Sequence, residues 1–172
     1  NVEELKELSY KILGDLLILH AKIYSETDLK SILFIYLTRL MQNLEHIGIA
    51  VKNLEISIPL FEKLLNTPCY KTEIVESEQV NTAFFQSGQS KIELLESTNP
   101  EGVINKFIEK KGEGIHHVAF EVQDIEAEMK RLAREGFVLL NEKPKIGADN
   151  KLVCFLHPKG TNGVLVELCQ SI

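Results

Sequence analysis

Two stretches of the chain, LEHIGIAVKN at residues 44–53 and IHHVAFEVQD at residues 115–124, say nearly the same thing seventy-one positions apart. Each places a histidine, His46 or His117, at the head of a short apolar run and ends on a residue suited to cap a helix, Asn53 or Asp124. The match holds residue for residue and marks an internal duplication. Side chains on a strand alternate between two faces, so His46 shares its face with Gly48 and Ala50, while Ile47, Ile49 and Val51 point the other way. In the second copy His117 shares its face with Ala119, and Val118, Phe120 and Val122 point oppositely. Branched and aromatic faces are what helices should cover. The histidine faces carry small residues, which leaves room for a cavity. By the same alternation His116 turns away from that side, and the phase of the repeat selects His117.

Outward from these strands, each copy continues as one helix and three further strands. Ile125, Met129, Leu132 and Ala133 lie on one stripe of a helix over 125–135, with Gly136 just past its end. The helix after Asn53 is interrupted by Pro59, so either Ser57 caps it with the proline in the first turn, or it kinks. CYKTEIVES, NTAFFQSG and KIELLES supply the strands of the first copy, and FVLLN, LVCFLHP and GVLVELCQ those of the second. NPEGVINKFIEKKGEG reads as a linker helix closed by glycines. The expectation is an α+β fold of paired βαβββ modules, over 44–98 and 115–171, in a single catalytic domain spanning 41–172. Residues 1–40 read as a helical hairpin, with Leu5, Leu8, Ile12, Leu16, Leu19 and Ile23 at helical spacing. Met41 looks like a natural start, which makes this extension accessory to the domain or foreign to it.

A chain of 172 residues with a formal charge of −6 and no clustered Lys/Arg excludes a nucleic-acid partner. Cys69, Cys154 and Cys169 are odd in number and irregularly spaced, which argues for reduced packing cysteines rather than a disulfide framework or a CxxC zinc site. The longest apolar run, SILFIYL, is too short to cross a bilayer. A cytoplasmic protein with no membrane partner is expected.

The last strand of the first copy carries Glu93 and that of the second Glu167, the latter in a run so apolar that an unpaired carboxylate would be costly. Singly, a strand histidine is usually a hydrogen-bonded core residue and a strand glutamate a solvated one. Two histidines and two glutamates, one pair from each copy, are instead suited to enclosing a divalent cation. His157 is read as a turn or supporting residue and His20 as incidental.

EHIGIAVKNLE, SKIELLES, GIHHVAFEVQDIEAEMKRL and above all EKPKIGADNKLVCFLHPKGTNGVLVELCQ resemble the methylmalonyl-CoA epimerases of the vicinal-oxygen-chelate, glyoxalase-like superfamily over about residues 44–171. The resemblance implies that His46, Glu93, His117 and Glu167 are the metal ligands and that a divalent ion is the cofactor, Co²⁺ before Mn²⁺, Ni²⁺, Zn²⁺ or Mg²⁺. It implies a homodimer acting on methylmalonyl-CoA by way of an enolate, and the duplication, which sets Glu93 and Glu167 at pseudo-symmetric positions, offers Glu167 as the base on one face and Glu93 as the base on the other. Lys143, Lys145 and Lys159 are the candidates for CoA phosphates. The chain departs from the family twice. Some epimerases have Gln in place of Glu93, and an acid proposed as a base in one branch aligns with Thr82. The alternatives are glyoxalase I, which has nearly the same ligand set, and a non-catalytic binding protein of this fold.

Overall fold

The computed structural model describes residues 43–172; the helical hairpin expected over 1–40 lies outside the described residues. The first module comprises β1 (Leu44–Ala50), α1 (Leu54–Leu65), β2 (Lys71–Val75), β3 (Val80–Ser87) and β4 (Ser90–Ser97). A linker helix, α2 (Val103–Lys111), leads to β5 (Gly114–Glu121), α3 (Ile125–Arg134), β6 (Lys145–Ile146), β7 (Lys151–Leu156) and β8 (Val166–Ser171). The expected α+β fold of paired βαβββ modules is the one observed.

All eight strands form one sheet in the order β2-β3-β4-β1-β5-β8-β7-β6. β1 and β5 lie antiparallel at its centre, and each pairs in parallel with the last strand of its own module, β4 or β8. β2 and β6 stand at opposite edges, yet Lys145 of β6 pairs with Glu78, in the turn after β2, at 2.5 Å. Lys71 of β2 also reaches Asp149, in the loop after β6, at 3.1 Å. The sheet therefore curls until its edges nearly meet.

Helices α1 and α3 cover the convex side, as the branched faces require, whereas α2 packs on the histidine side through Ile104 and Ile108 against Ala50, Val80 and Leu95. Ile49, Val51, Phe85 and Leu94 pack under Leu54, Ile58 and Phe61 of α1. Cys154, Leu156 and Leu168 pack under Ile125, Met129 and Leu132 of α3. Asn53 caps α1 by accepting the Ile56 N–H, and Asp124 caps α3 by accepting that of Ala127, two donors that would otherwise be orphaned. Ser57 does not cap α1: it is buried within the helix, which runs on through Pro59 at the loss of one backbone hydrogen bond.

FVLLN, expected as a strand, does not form a full one. Leu139 makes a single bridge to Leu156, and the two residues of β6 pair with Leu152 and Val153 instead. Two short segments thus share the free edge of β7, one at each end, so neither extends into a long strand.

Candidate active site and metal centre

Two rows of paired residues cross the concave face. Glu93 of β4 lies beside Gly48 of β1, which lies beside His117 of β5. His46 of β1 lies beside Ala119 of β5, which lies beside Glu167 of β8. In each row two functional side chains flank a small residue on the strand between them. Gly48 is required here, because a Cβ at this position would stand 2.2 Å from Cε1 of the His117 ring. The small residues expected beside the histidines are the space into which the rings fold.

The four side chains converge. Nε2 of His46 lies 2.9 Å from Nε2 of His117 and 3.2 Å from Oε2 of Glu93, and Nε2 of His117 lies 3.2 Å from Oε2 of Glu167. The diagonals, His46 to Glu167 and His117 to Glu93, are 3.9 and 3.6 Å. All four residues are between 3 and 7% exposed. Two imidazoles and two carboxylates are the donors that suit a divalent ion, and atoms bound at about 2.1 Å to one small cation lie roughly 3–4 Å apart. The residues present therefore fit such an ion.

The electrostatics of the metal-free site follow from burial set against these contacts. Burial opposes ionisation of Glu93, but hydrogen bonds from His117 and His46 outweigh it and hold its carboxyl at about 2. Burial likewise opposes the charged form of His46, yet Glu45 and Glu93 raise it to about 10. Glu167 behaves differently: burial lifts it above the ordinary carboxylate range against the pull of both histidines.

A second set of groups stands behind the first. Glu45 takes Nδ1 of His46 on its Oε2 at 2.5 Å and the ammonium groups of Lys91 and Lys151 on its Oε1 at 2.5 and 3.1 Å. Burial works against its ionisation, but the hydrogen bonds from His46 and Lys91 prevail and bring it to about 2. Lys91 continues to Asp149 at 2.7 Å. His116 places Nδ1 at 3.0 Å from Nδ1 of His117, and burial pushes its own ring down to about 4. His116 lines the cavity, contrary to the face that strand alternation assigns it. The reason is a bulge: Gly48 and Ile49 pair with His117 and Ile115, so β5 carries one extra residue there. Glu45, Lys91 and Asp149 were missed by sequence reasoning as well. The available signal was the repeat itself, which sets Glu45 opposite His116 as polar residues in otherwise apolar strands.

The cavity holds about 240 Å³, lined by all four converging residues and by Val80, Phe84, Ile104, Leu140, Phe155 and Leu165 among others. Of the three candidate lysines, Lys145 reaches it, pairing with Glu78 and lying over the Phe155 ring. Lys143 and Lys159 are exposed and do not line it. Thr82 does, with its hydroxyl donated to the Glu73 carbonyl, so a hydroxyl and no carboxylate occupies that position. His157 serves a turn, accepting the Lys159 N–H at 3.1 Å. Cys69, Cys154 and Cys169 are free thiols. No helix among the described residues is long and apolar enough to cross a membrane.

Residues 45–155 match the family described as the Glyoxalase/Bleomycin resistance protein/Dioxygenase superfamily. The chain is 40% identical over 129 residues to the ethylmalonyl-CoA/methylmalonyl-CoA epimerase of Cereibacter sphaeroides, covering 74% of this chain and 96% of that one. It is 39% identical over 126 residues to the mitochondrial methylmalonyl-CoA epimerase of Dictyostelium discoideum, covering 73% and 76%. A solved methylmalonyl-CoA epimerase in complex with methylmalonyl-CoA and NH4+ superposes with a TM-score of 0.72 at 31% identity, over 76% of this chain and 95% of that one. The chain belongs to the glyoxalase/bleomycin resistance protein/dioxygenase superfamily and, within it, to the methylmalonyl-CoA epimerases, isomerases of the racemase/epimerase class.

Proposed function

We propose that this protein interconverts (R)- and (S)-methylmalonyl-CoA by taking the α-proton from one face of the substrate and returning a proton to the other. The observation that carries the reading is the pair Glu93 and Glu167, set on pseudo-equivalent strands at either side of two buried histidines. One fixed base cannot easily serve both faces of a planar intermediate, whereas two carboxylates from opposite modules can. A cavity of about 240 Å³ accommodates a short branched acyl group and leaves the bulk of the CoA carrier outside, near Lys145.

A divalent ion, Co²⁺ on the family likeness, held by His46, His117 and Glu167 with Glu93 beside them would supply Lewis acidity that makes the α-carbon more acidic. Glu167, whose burial raises its proton affinity, takes the α-proton and leaves the planar enolate. Glu93, on the opposite module, enters the turnover carrying a proton, gives it to the opposite face and is left as the carboxylate. In the reverse direction the two exchange roles. The apolar walls, Val80, Phe84 and Leu165 among them, exclude water that would otherwise compete for those protons.

The test is α-proton exchange in D2O, followed separately for each epimer. Glu167→Gln should lower exchange from one epimer by about 10²–10⁴-fold and Glu93→Gln from the other. Exchange of both epimers at parental rates in both variants would reject the two-base assignment. Racemisation of methylmalonyl-CoA, measured beside isomerisation of the glutathione hemithioacetal, separates the reading from a glyoxalase I. Family likeness also leads us to read the enzyme as a cytoplasmic homodimer, which sedimentation and cell fractionation test.

A further inference from the structure

Each histidine of the converging four is preceded by a polar residue whose side chain holds that histidine's other ring nitrogen. Regular strand geometry forbids this arrangement, because neighbours point to opposite faces. It arises here because both central strands carry a bulge at the same point of the repeat. On β1, Leu44 and His46 pair with Phe120 and Ala119, so Glu45 is the extra residue. On β5, His117 and Ile115 pair with Gly48 and Ile49, so His116 is the extra residue. Glu45 and His116 stand seventy-one positions apart, as His46 and His117 do. A bulge re-aims the inserted side chain, and in this fold both inserted side chains join the lining of the cavity.

Each of the two is fixed in turn. Glu45 is held on Oε1 by Lys91 and Lys151, which leaves Oε2 for Nδ1 of His46. The His116 ring stands edge-on to Phe107 of α2, with centroids 5.0 Å apart, and this contact sets its plane. Two ring nitrogens at 3.0 Å attract only if one carries the proton and the other a lone pair. With Nε2 of His117 turned toward His46 and Glu167, its proton belongs on Nδ1, and His116 accepts it.

We infer that the paired bulges at Glu45 and His116 are positioning devices, in which each side chain takes the Nδ1 proton of the following histidine and thereby presents the Nε2 lone pair of His46 and His117 to the ion. This rests on the metal reading above and adds the reason the two rings face inward. The devices are unequal. A charged carboxylate holds His46 and a neutral ring holds His117, so the charge-assisted bond on the first module should contribute more.

Two measurements test it on the whole chain. In the Zn²⁺-loaded, ¹⁵N-histidine-labelled protein, both His46 and His117 should show a protonated Nδ1 and a metal-shifted Nε2; coordination through Nδ1 in either ring would overturn the inference. In chelator competition with Zn²⁺ or Co²⁺, Glu45→Ala should weaken binding about 10–100-fold and His116→Phe less, within the range found for groups that orient metal ligands. His116→Asn, whose amide oxygen can still accept, should restore part of the loss, a rescue that a purely structural role does not give. Parental affinity in both Glu45→Ala and His116→Phe, each folded by circular dichroism, would refute the positioning role while leaving the metal site standing. Absence of divalent binding by the unsubstituted protein would overturn both readings together.

Discussion

The sharpest prediction concerns Gly48, a residue with no side chain and no chemistry of its own. A methyl group there would lie 2.2 Å from Cε1 and 2.6 Å from both nitrogens of the His117 ring. Carbon atoms settle at about 3.5–4.0 Å, so Gly48→Ala demands a retreat of roughly 1.3 Å or more, by the ring or by the strand beneath it. The ring has little freedom to move. Its Nε2 faces His46 at 2.9 Å and Glu167 at 3.2 Å, its Nδ1 is engaged by His116, and Phe155 stands edge-on to it at 5.6 Å between centroids. Overpacking of this kind costs about 1–3 kcal/mol. A shift near 1 Å in a group that shapes the reacting centre lowers turnover by about 10²-fold. Gly48→Ala should therefore lower the Tm by several degrees, weaken divalent metal binding and reduce epimerase kcat/KM by about two orders of magnitude. The pseudo-equivalent exchange, Ala119→Gly, opens space beside His46 and should cost only about 0.5–1 kcal/mol of stability, since it loosens a strand without touching either ring. Parental Tm, metal affinity and kcat/KM in Gly48→Ala would refute the claim that the glycine exists to seat the imidazole.

Two further outcomes are expected. In the metal-free protein His46 is raised from 6.5 to about 10, so its stabilising contribution is fully present below about pH 6.5 and is lost as the pH climbs through 10. The Tm of metal-free protein should fall across that interval, and metal binding within it should release a proton, read as a buffer-dependent enthalpy; a flat Tm and no proton release would contradict the assignment. Replacing the helix caps, Asn53→Ala or Asp124→Ala, should cost about 1 kcal/mol each and add in the double variant, with kcat/KM unchanged, because each removes one side-chain oxygen that accepts a backbone N–H on the helix side of the sheet; strongly non-additive denaturation midpoints would show that the modules are coupled through their helices.

Much of this protein was legible in the chain because the information is local and stated twice. Alternation alone separated the faces of β1 and β5, capping chemistry placed Asn53 and Asp124, and the repeat aligned His46 with His117 and Glu93 with Glu167. Periodicity misled at His116 and at the strand expected over FVLLN, each for a reason that lies in another part of the fold. A bulge is a relation between two paired strands, and whether two segments share one edge of β7 depends on where that edge runs free. Sequence by itself determined which residue types occupy the two modules and which way most of them face. Tertiary structure decided that the sheet curls until Lys71 reaches Asp149, that Glu93 and Glu167 each come within 3.9 Å of both histidines, and that Glu45 and His116 turn inward behind the histidines. Those are distances between residues far apart in the chain, and such distances exist only once the strands have paired.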